Sequence, residues 1–508
     1  MIPLTRTRYY FSDKGLQDSI NQLSILPREL QRARNVHFYE RGSLTKRNGY
    51  IKRITSAISG TPKITGLHQL VNRDGTKNFV IATNALYTGD QGDASVTAIG
   101  GSLTFTPGTN GENFNSMITF NDQVIGTNGV ENPWAWAGSG NAADLGGSPP
   151  IAPIIETYQN FVFLAGNSTA PYRLYFSNDG DETTWTGTDF IDIGDLTSPI
   201  TGLAVLFGAL VIFTRKGLYT LRGYDRDTFQ VDEVTISTGC TSYKSIVKVD
   251  NNLVFWSDRG PYSFDGINVH YLGRNIQVFI EDINYSRIDK IVGHLYKAKN
   301  QVWWSISTGS NEQHNKVVCM TYDPTKSESN AGIEESGVAF SEYTGMAFNC
   351  FATETSTTEL DRLYAGGYSG LIYQQDEGTN DDGSAIDFQV KTGPLDAGNP
   401  EEFKRFRYIW LFNKQQGNYS ISVSYITDFG TGGSSTTVTQ SLLGSNSLWG
   451  SLVWGTDVWG GTSIIKARIN LKAMGHHIEI TFVNSNIDQP VVIKGFSLLS
   501  QLKGVGRS

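Results

Sequence analysis

Hydrophobic residues in this chain come in short runs that stop at Gly, Asn or Asp. In the stretch 200–223, ITGLAVLFGALVIFTRKGLYTLRG, apolar runs at 203–207 and 210–213 flank Gly208-Ala209, and a third at 218–221 follows the turn Arg215-Lys216-Gly217. β-Branched, aromatic and aliphatic residues fit a pleated strand and Gly supplies tight turns, so the stretch predicts three consecutive antiparallel strands. Its apolar part is broken by Gly202 and Gly208 and falls short of the roughly 20 residues a membrane-spanning helix needs. It reads as a core hairpin.

The same meander returns along the chain. The residues that match Leu210 are Phe79, Val124, Phe161, Leu253, Val302 and Leu363, at steps of 45, 37, 49, 43, 49 and 61 residues. The mean step, about 47, lies close to the length of propeller blades. These residues are expected on the inner strand of each unit. Most units add an aromatic strand after a Gly or Asn turn, as at Leu86-Tyr87, Trp134–Trp136, Leu174-Tyr175, Leu218-Tyr219, Pro261-Tyr262 and Ile372-Tyr373. The unit at Val302 departs, with its next strand candidate at 317–322 only after a polar loop. Six or seven blades are therefore expected over 59–380, because radial stacking buries both faces of each small sheet. A series of β-sandwiches would also give short strands but no period near 47.

Two regions break the pattern. After the Gly- and Asp-rich loop 376–387, strands are predicted at 388–390, 406–412, 419–425, 464–471, 477–483 and 491–498, a jelly-roll-like C-terminal β-sandwich over 381–508. Between them Trp449, Trp454 and Trp459 are spaced by five, neither helical nor strand spacing, which places them on a loop. That loop is either an aromatic contact surface or a cover folded over its own sandwich. Before the repeats, residues 1–58 read as an N-terminal arm, with a short helix at 24–34 and a hairpin turning near 40–42.

Composition agrees with an all-β protein: 55 Gly, 12% aromatic and only 18% charged residues. The net charge of −8 excludes a protein that coats nucleic acid. Residues 1–53 hold 11 Lys and Arg against 4 Asp and Glu, leaving 30 against 45 for the rest, so a basic arm precedes an acidic body. The arm is read either as a solvated extension or as a segment that docks on a neighbouring acidic subunit. Its candidate contacts are Arg28, Arg32, Arg34, Arg41, Lys46 and Arg47, with the three loop tryptophans as a second set. Cys240, Cys319 and Cys350 are widely spaced and read as buried small hydrophobes. The N-terminal stretch MIPLTRTRYYFSDKG has no apolar leader run.

Candidate chemistry is sparse. There is no HExxH, GxxxxGK[ST] or GxSxG. Residues 177–185, SNDGDETTW, approach the Asp-box turn S-x-D-x-G-x-T-W of sialidase-like propellers with one residue too many, which makes Asp179 and Asp181 the carboxylates to test. The loop 376–387 offers Asp376, Asn380 and Asp382 to calcium but lacks a closing Glu, and reads as a solvated linker. His476 and His477 are expected on opposite faces of a strand, unable to share one metal. No catalytic, cofactor or metal site is expected, and the chain is not read as an enzyme.

The segment 34–50, RNVHFYERGSLTKRNGY, resembles the "NVRF..GG..KRPGY" opening of tailed-bacteriophage tail hub or nozzle proteins, with Asn48 where Pro is usual. Further on, 158–167 (YQNFVFLAGN), 174–178 (LYFSN) and Trp185 resemble their "NRVFVAGN…RVYWSDPGDPENW" segment, and 200–223 and 253–266 resemble later blades. The likeness is strongest over residues 30–270. The family includes the P22-type tail stabilisation protein and T7-type nozzle proteins. The resemblance implies a virion tail protein, assembled in the host cytoplasm as a hexameric ring below the portal and adaptor proteins. Such a ring is a conduit for DNA in transit, without sequence-specific binding or integral membrane association, and a platform for tail fibre or tailspike and plug or needle proteins. An acidic wall suits that role, because it does not retain phosphate. The competing reading is a glycan-binding or glycan-hydrolysing propeller of the virion.

Overall fold

The computed structural model describes residues 4–10, 14–38, 42–89, 95–327, 333–355, 361–414, 416–417, 419–430, 436–442 and 464–503. Seven four-stranded antiparallel units follow one another and close into a β-propeller. Their first strands are Gly66–Val71, Ser116–Phe120, Ile154–Tyr158, Ile200–Leu206, Val247–Val249, Val292–Tyr296 and Cys350–Thr355, numbered here as blades 1 to 7. These first strands neighbour one another around the ring, and that of blade 7 meets that of blade 1. Blades 4 and 5 are the exception: the 3-10 turn Tyr243–Ser245 is wedged against the first strands of blades 4 and 6 beside the three-residue first strand of blade 5. No helix among the described residues is long and apolar enough to cross a membrane.

The residues that define the sequence period all lie on the second strand of a blade, one place out from the channel. The second strand is covered on both faces by adjacent blades and on both edges by its own sheet. It is therefore the most continuously apolar, as in Ala209–Thr214 and Gln301–Ile306, which are buried at every position. The hydrophobic maximum marks burial on all sides, not proximity to the axis. Stretch 200–223 supplies three strands of blade 4, with Leu206 opposite Ala209 across a two-residue turn. Phe207 and Gly208 both have positive φ, 48° and 71°, as a type I′ turn requires.

The first 53 residues do not form a detached arm. Tyr50–Lys52 pairs with Ile372–Gln375 and is the fourth, outermost strand of blade 7, so the propeller is closed by strands more than 300 positions apart. The expected helix at 24–34 is instead a 3-10 turn, Gln22–Ser24, followed by the strand Leu30–Arg34. That strand inserts between Phe388–Thr392 and the outermost strand of blade 6, Val338–Thr344. Burying Leu30 and Ala33 there overrides the helical tendency of the segment.

The sandwich is accordingly built from both ends of the chain. One sheet runs Leu30–Arg34, Phe388–Thr392, Ile478–Asn484, Ser420–Thr427, Thr436–Ser441. The other runs Val36–His37, Leu44–Lys46, Val492–Leu502, Lys404–Lys414, Ile464–Gly475, with Leu4–Tyr9 also on Val492–Leu502. Phe482 and Phe496, from opposite sheets, pack at 5.8 Å between ring centroids. Separate apolar clusters fill most gaps between blades, whereas the cluster at blades 5 and 6, around Trp256 and Trp304, is continuous with the sandwich core. Cys240, Cys319 and Cys350 are all buried and unpaired.

Candidate functional site

Three of the cations expected to face a partner are turned inward, at the junction of propeller and sandwich. Arg47 follows the strand Leu44–Lys46 and is buried. Its Nη1 and Nη2 donate to the Asp381 carboxylate at 2.7 and 2.5 Å, and its remaining donors reach Asn35 Oδ1 (2.9 Å), Asn48 O (3.0 Å) and Thr344 O (2.9 Å). All five N–H groups of the guanidinium are thus satisfied. Burial pushes the Asp381 carboxyl upward, and the bidentate Arg47 opposes it. Asn35, at φ 52°, completes the knot by donating to Thr344 Oγ1 and Asp387 O. Lys46 donates to Asn484 Oδ1 (2.8 Å) and Asn486 O (3.3 Å), and burial together with Arg47 pulls its ammonium down to about 8. Arg34 pairs with Asp387 at 3.1 Å and Glu342 at 3.5 Å.

The other candidates separate from this group. Arg28 and Arg32 are exposed, Arg32 donating to Gln389 Oε1 at 3.3 Å. Arg41 and the loop tryptophans Trp449, Trp454 and Trp459 lie outside the described residues. Two basic residues not singled out from the sequence also form ion pairs, Lys52 at the junction and Arg53 where blade 7 meets blade 1. Lys52 pairs with Asp382 at 2.9 Å, and Arg53 pairs with Glu354 at 3.1 Å between the rings of Phe79 and Tyr364.

The loop 376–387 is therefore a clasp and not a solvated linker. Asp376 accepts from Lys299 and from the Tyr296 hydroxyl, Asp381 from Arg47, and Asp382 pairs with Lys52. Among the described residues no group of three or more His, Cys, Asp or Glu is arranged to hold a metal ion. His476 and His477 sit in a turn instead of a strand, and both their backbone N–H groups donate to Asp428 Oδ1. The Asp-box-like segment is a folded turn. Asp181 accepts from Thr183 N, Thr183 Oγ1 and Thr184 Oγ1, and these bonds hold its carboxyl below the usual range. Asp179 accepts from Asn160 Nδ2, and Trp185 Nε1 donates to Glu182 O.

A concave site of about 470 Å³ lies in the propeller channel, lined by first-strand residues of all seven blades. Around the ring, side-chain hydrogen bonds join neighbouring first strands. His68 Nε2 meets Thr119 Oγ1 at 2.9 Å, joining blades 1 and 2, and His294 Nε2 meets Thr353 Oγ1 at 2.8 Å, joining blades 6 and 7. Burial pulls both imidazoles down to about 4, so both are neutral at pH 7. Glu156 of blade 3 and Lys248 of blade 5 face the same cavity, as does Lys244 of the wedged turn. Burial pushes the Glu156 carboxyl up to about 7 and pulls the Lys244 ammonium down to about 8. Sequence reasoning missed these residues; their signal was a lone ionisable residue within or beside an apolar first strand, as in Val247-Lys248-Val249.

No family model matches the chain, and no curated protein matches it. Among solved structures it is similar to BBS1N in complex with ARL6DN, at 12% identity over 65% of this chain and 97% of that one, with a TM-score of 0.39. YCF48 bound to D1 peptide gives 12% identity, 65% and 95% coverage and a TM-score of 0.39. BamB from Moraxella catarrhalis gives 14%, 66% and 93%, and 0.36. The strand pairing itself establishes the propeller.

Proposed function

We propose that this chain is a structural subunit of a bacteriophage tail, a nozzle or hub protein that assembles as a hexameric ring below the portal and adaptor. The observation that carries the reading is the interlocking of the two bodies. Residues 4–53 contribute strands to both sheets of the sandwich and to the last blade, and the Arg47–Asp381 clasp is buried between them. A subunit that transmits load along a tube needs such a rigid joint, and the segment that forms it, 34–50, is the one that resembles the tail family. In this reading the DNA conduit runs between subunits. The propeller's own channel has the size of a small-molecule site, and Tyr243 and Phe114, whose rings pack at 6.4 Å, are among its lining residues.

Native mass spectrometry of the purified chain and imaging of assembled particles test the proposal. The expected result is a six-fold ring at the tail. A protein that stays monomeric at all concentrations and is absent from particles overturns it. The glycan-hydrolysing alternative relied on Asp179 and Asp181, whose carboxylates are engaged in holding their own turn. A glycan array is its test.

A further inference from the structure

Among the described residues the channel charges form no direct ion pair, and Lys248 acts on Glu156 only through space. Among the described residues no carboxylate lies within ion-pair distance of Lys244 or Lys248, and no cation lies within that distance of Glu156. The Lys244 ammonium has one weak contact, the Asn115 carbonyl at 3.5 Å, and the ring of the adjacent Tyr243 at 5.7 Å. Glu156 Oε1 accepts only the N–H of Thr157, at 3.0 Å. An ammonium drawn out of bulk water without a partner is costly. Here the fold goes out of its way to place it. The turn Tyr243–Ser245 displaces regular packing between blades 4 and 5 and presents Lys244 to the cavity.

We infer that the propeller channel is a binding site for a small molecule bearing a carboxylate or phosphate group, with Lys244 as the counter-charge. The cavity volume falls in the range of small-molecule sites. Phe114, one of the lining residues, is buried and stacked on the buried His314 ring at 6.5 Å. Two cations against one carboxylate set the sign. The oxyanion accepts from the Lys244 ammonium, and Lys248, an exposed lining residue, adds longer-range attraction. Glu156 disfavours a second negative group near blade 3, which selects for a single anionic head.

Isothermal titration of the full chain with acetate, citrate, inorganic phosphate and glucose 6-phosphate tests this, and the probes separate carboxylate from phosphate. The expected result is saturable binding of at least one probe, one per chain, weakened about tenfold or more by Lys244→Met and largely kept by Lys244→Arg. No saturable binding by any probe, or binding indifferent to Lys244→Met, overturns the inference. Should Lys244→Met fail to fold, Glu156→Gln decides. Anion binding above pH 7 that tightens several-fold supports the site, and unchanged binding overturns it. Neither outcome bears on the tail reading, which stands or falls on assembly.

Discussion

At the junction, Arg47 has every donor bonded and its charge met by Asp381; in the channel, Lys244 reaches one carbonyl at 3.5 Å. Both cations are drawn away from bulk solvent, and both face groups from several strands. The junction closes on itself with amides, carbonyls and carboxylates, which is how a buried charge becomes a fixed joint. The channel surrounds its charges with neutral imidazoles and hydroxyls that bond to each other, leaving Lys244, Lys248 and Glu156 facing open volume. One region uses ionic groups to fix geometry, and the other holds them in reserve for something that enters.

The largest effect that separates the two regions comes from deleting residues 1–53. This removes the closing strand of blade 7, four sandwich strands and Arg47 together. The expected outcome is loss of soluble, cooperatively unfolding protein, read by expression yield and a circular dichroism melt. A well-folded truncated propeller would show that the junction is an accessory. Next in size is Arg47→Met, which leaves Asp381 buried without its partner. It should cost about 3–5 kcal/mol in urea unfolding, as breaking one side of a buried pair does. The guanidinium stays charged throughout, but Arg47 also holds the Lys46 ammonium down, so that loss should grow modestly from pH 8 to 10. Lys244→Met, by contrast, removes an ammonium with no partner to strand and should leave stability at pH 7 unchanged or raised. A cost near that of Arg47→Met would erase the distinction between the two sites.

The same contrast explains what could be read from the chain. Blades were legible because each carries its own second strand, and Phe79, Val124 and Phe161 through Leu363 repeat a local fact, burial on four sides. The six C-terminal strands were legible for a different reason, one-face burial, as in Ile464–Gly475, where positions alternate between more exposed and buried. The closing strand Tyr50–Lys52 was not, since three residues of mixed burial have no meaning until Ile372–Gln375 lies beside them. Nor was the role of the basic residues. Charge counting finds 11 cations before residue 54 but cannot show that Asp381 or Glu354 will meet them. The strand at Thr436–Ser441 also escaped, its polar run TTVTQS lacking an apolar face.

The smallest effect is a pH signature confined to the channel. The Glu156 carboxyl is raised from 4.5 to about 7 in the folded state. Between those values the native protein holds a proton that the unfolded chain releases, so this group makes stability fall as pH rises, and the penalty is full above pH 7. Lys244, lowered from 10.5 to about 8, acts in the opposite direction at higher pH. Its penalty is full below pH 8 and is relieved as pH rises toward 10.5, where the unfolded lysine also loses its proton. Glu156→Gln should therefore gain on the wild type progressively from pH 4.5 to 7 and hold that gain above it. Lys244→Met should hold its gain below pH 8 and lose it by pH 10.5. Melting curves of the two variants across pH 4 to 10.5 would test this. Parallel profiles, offset but without these opposed slopes, would mean that both groups are as well solvated folded as unfolded. With the slopes present, both penalties are at their fullest between pH 7 and 8. An anion seated on Lys244 relieves one of them in that interval, so added ligand should raise the melting temperature most there.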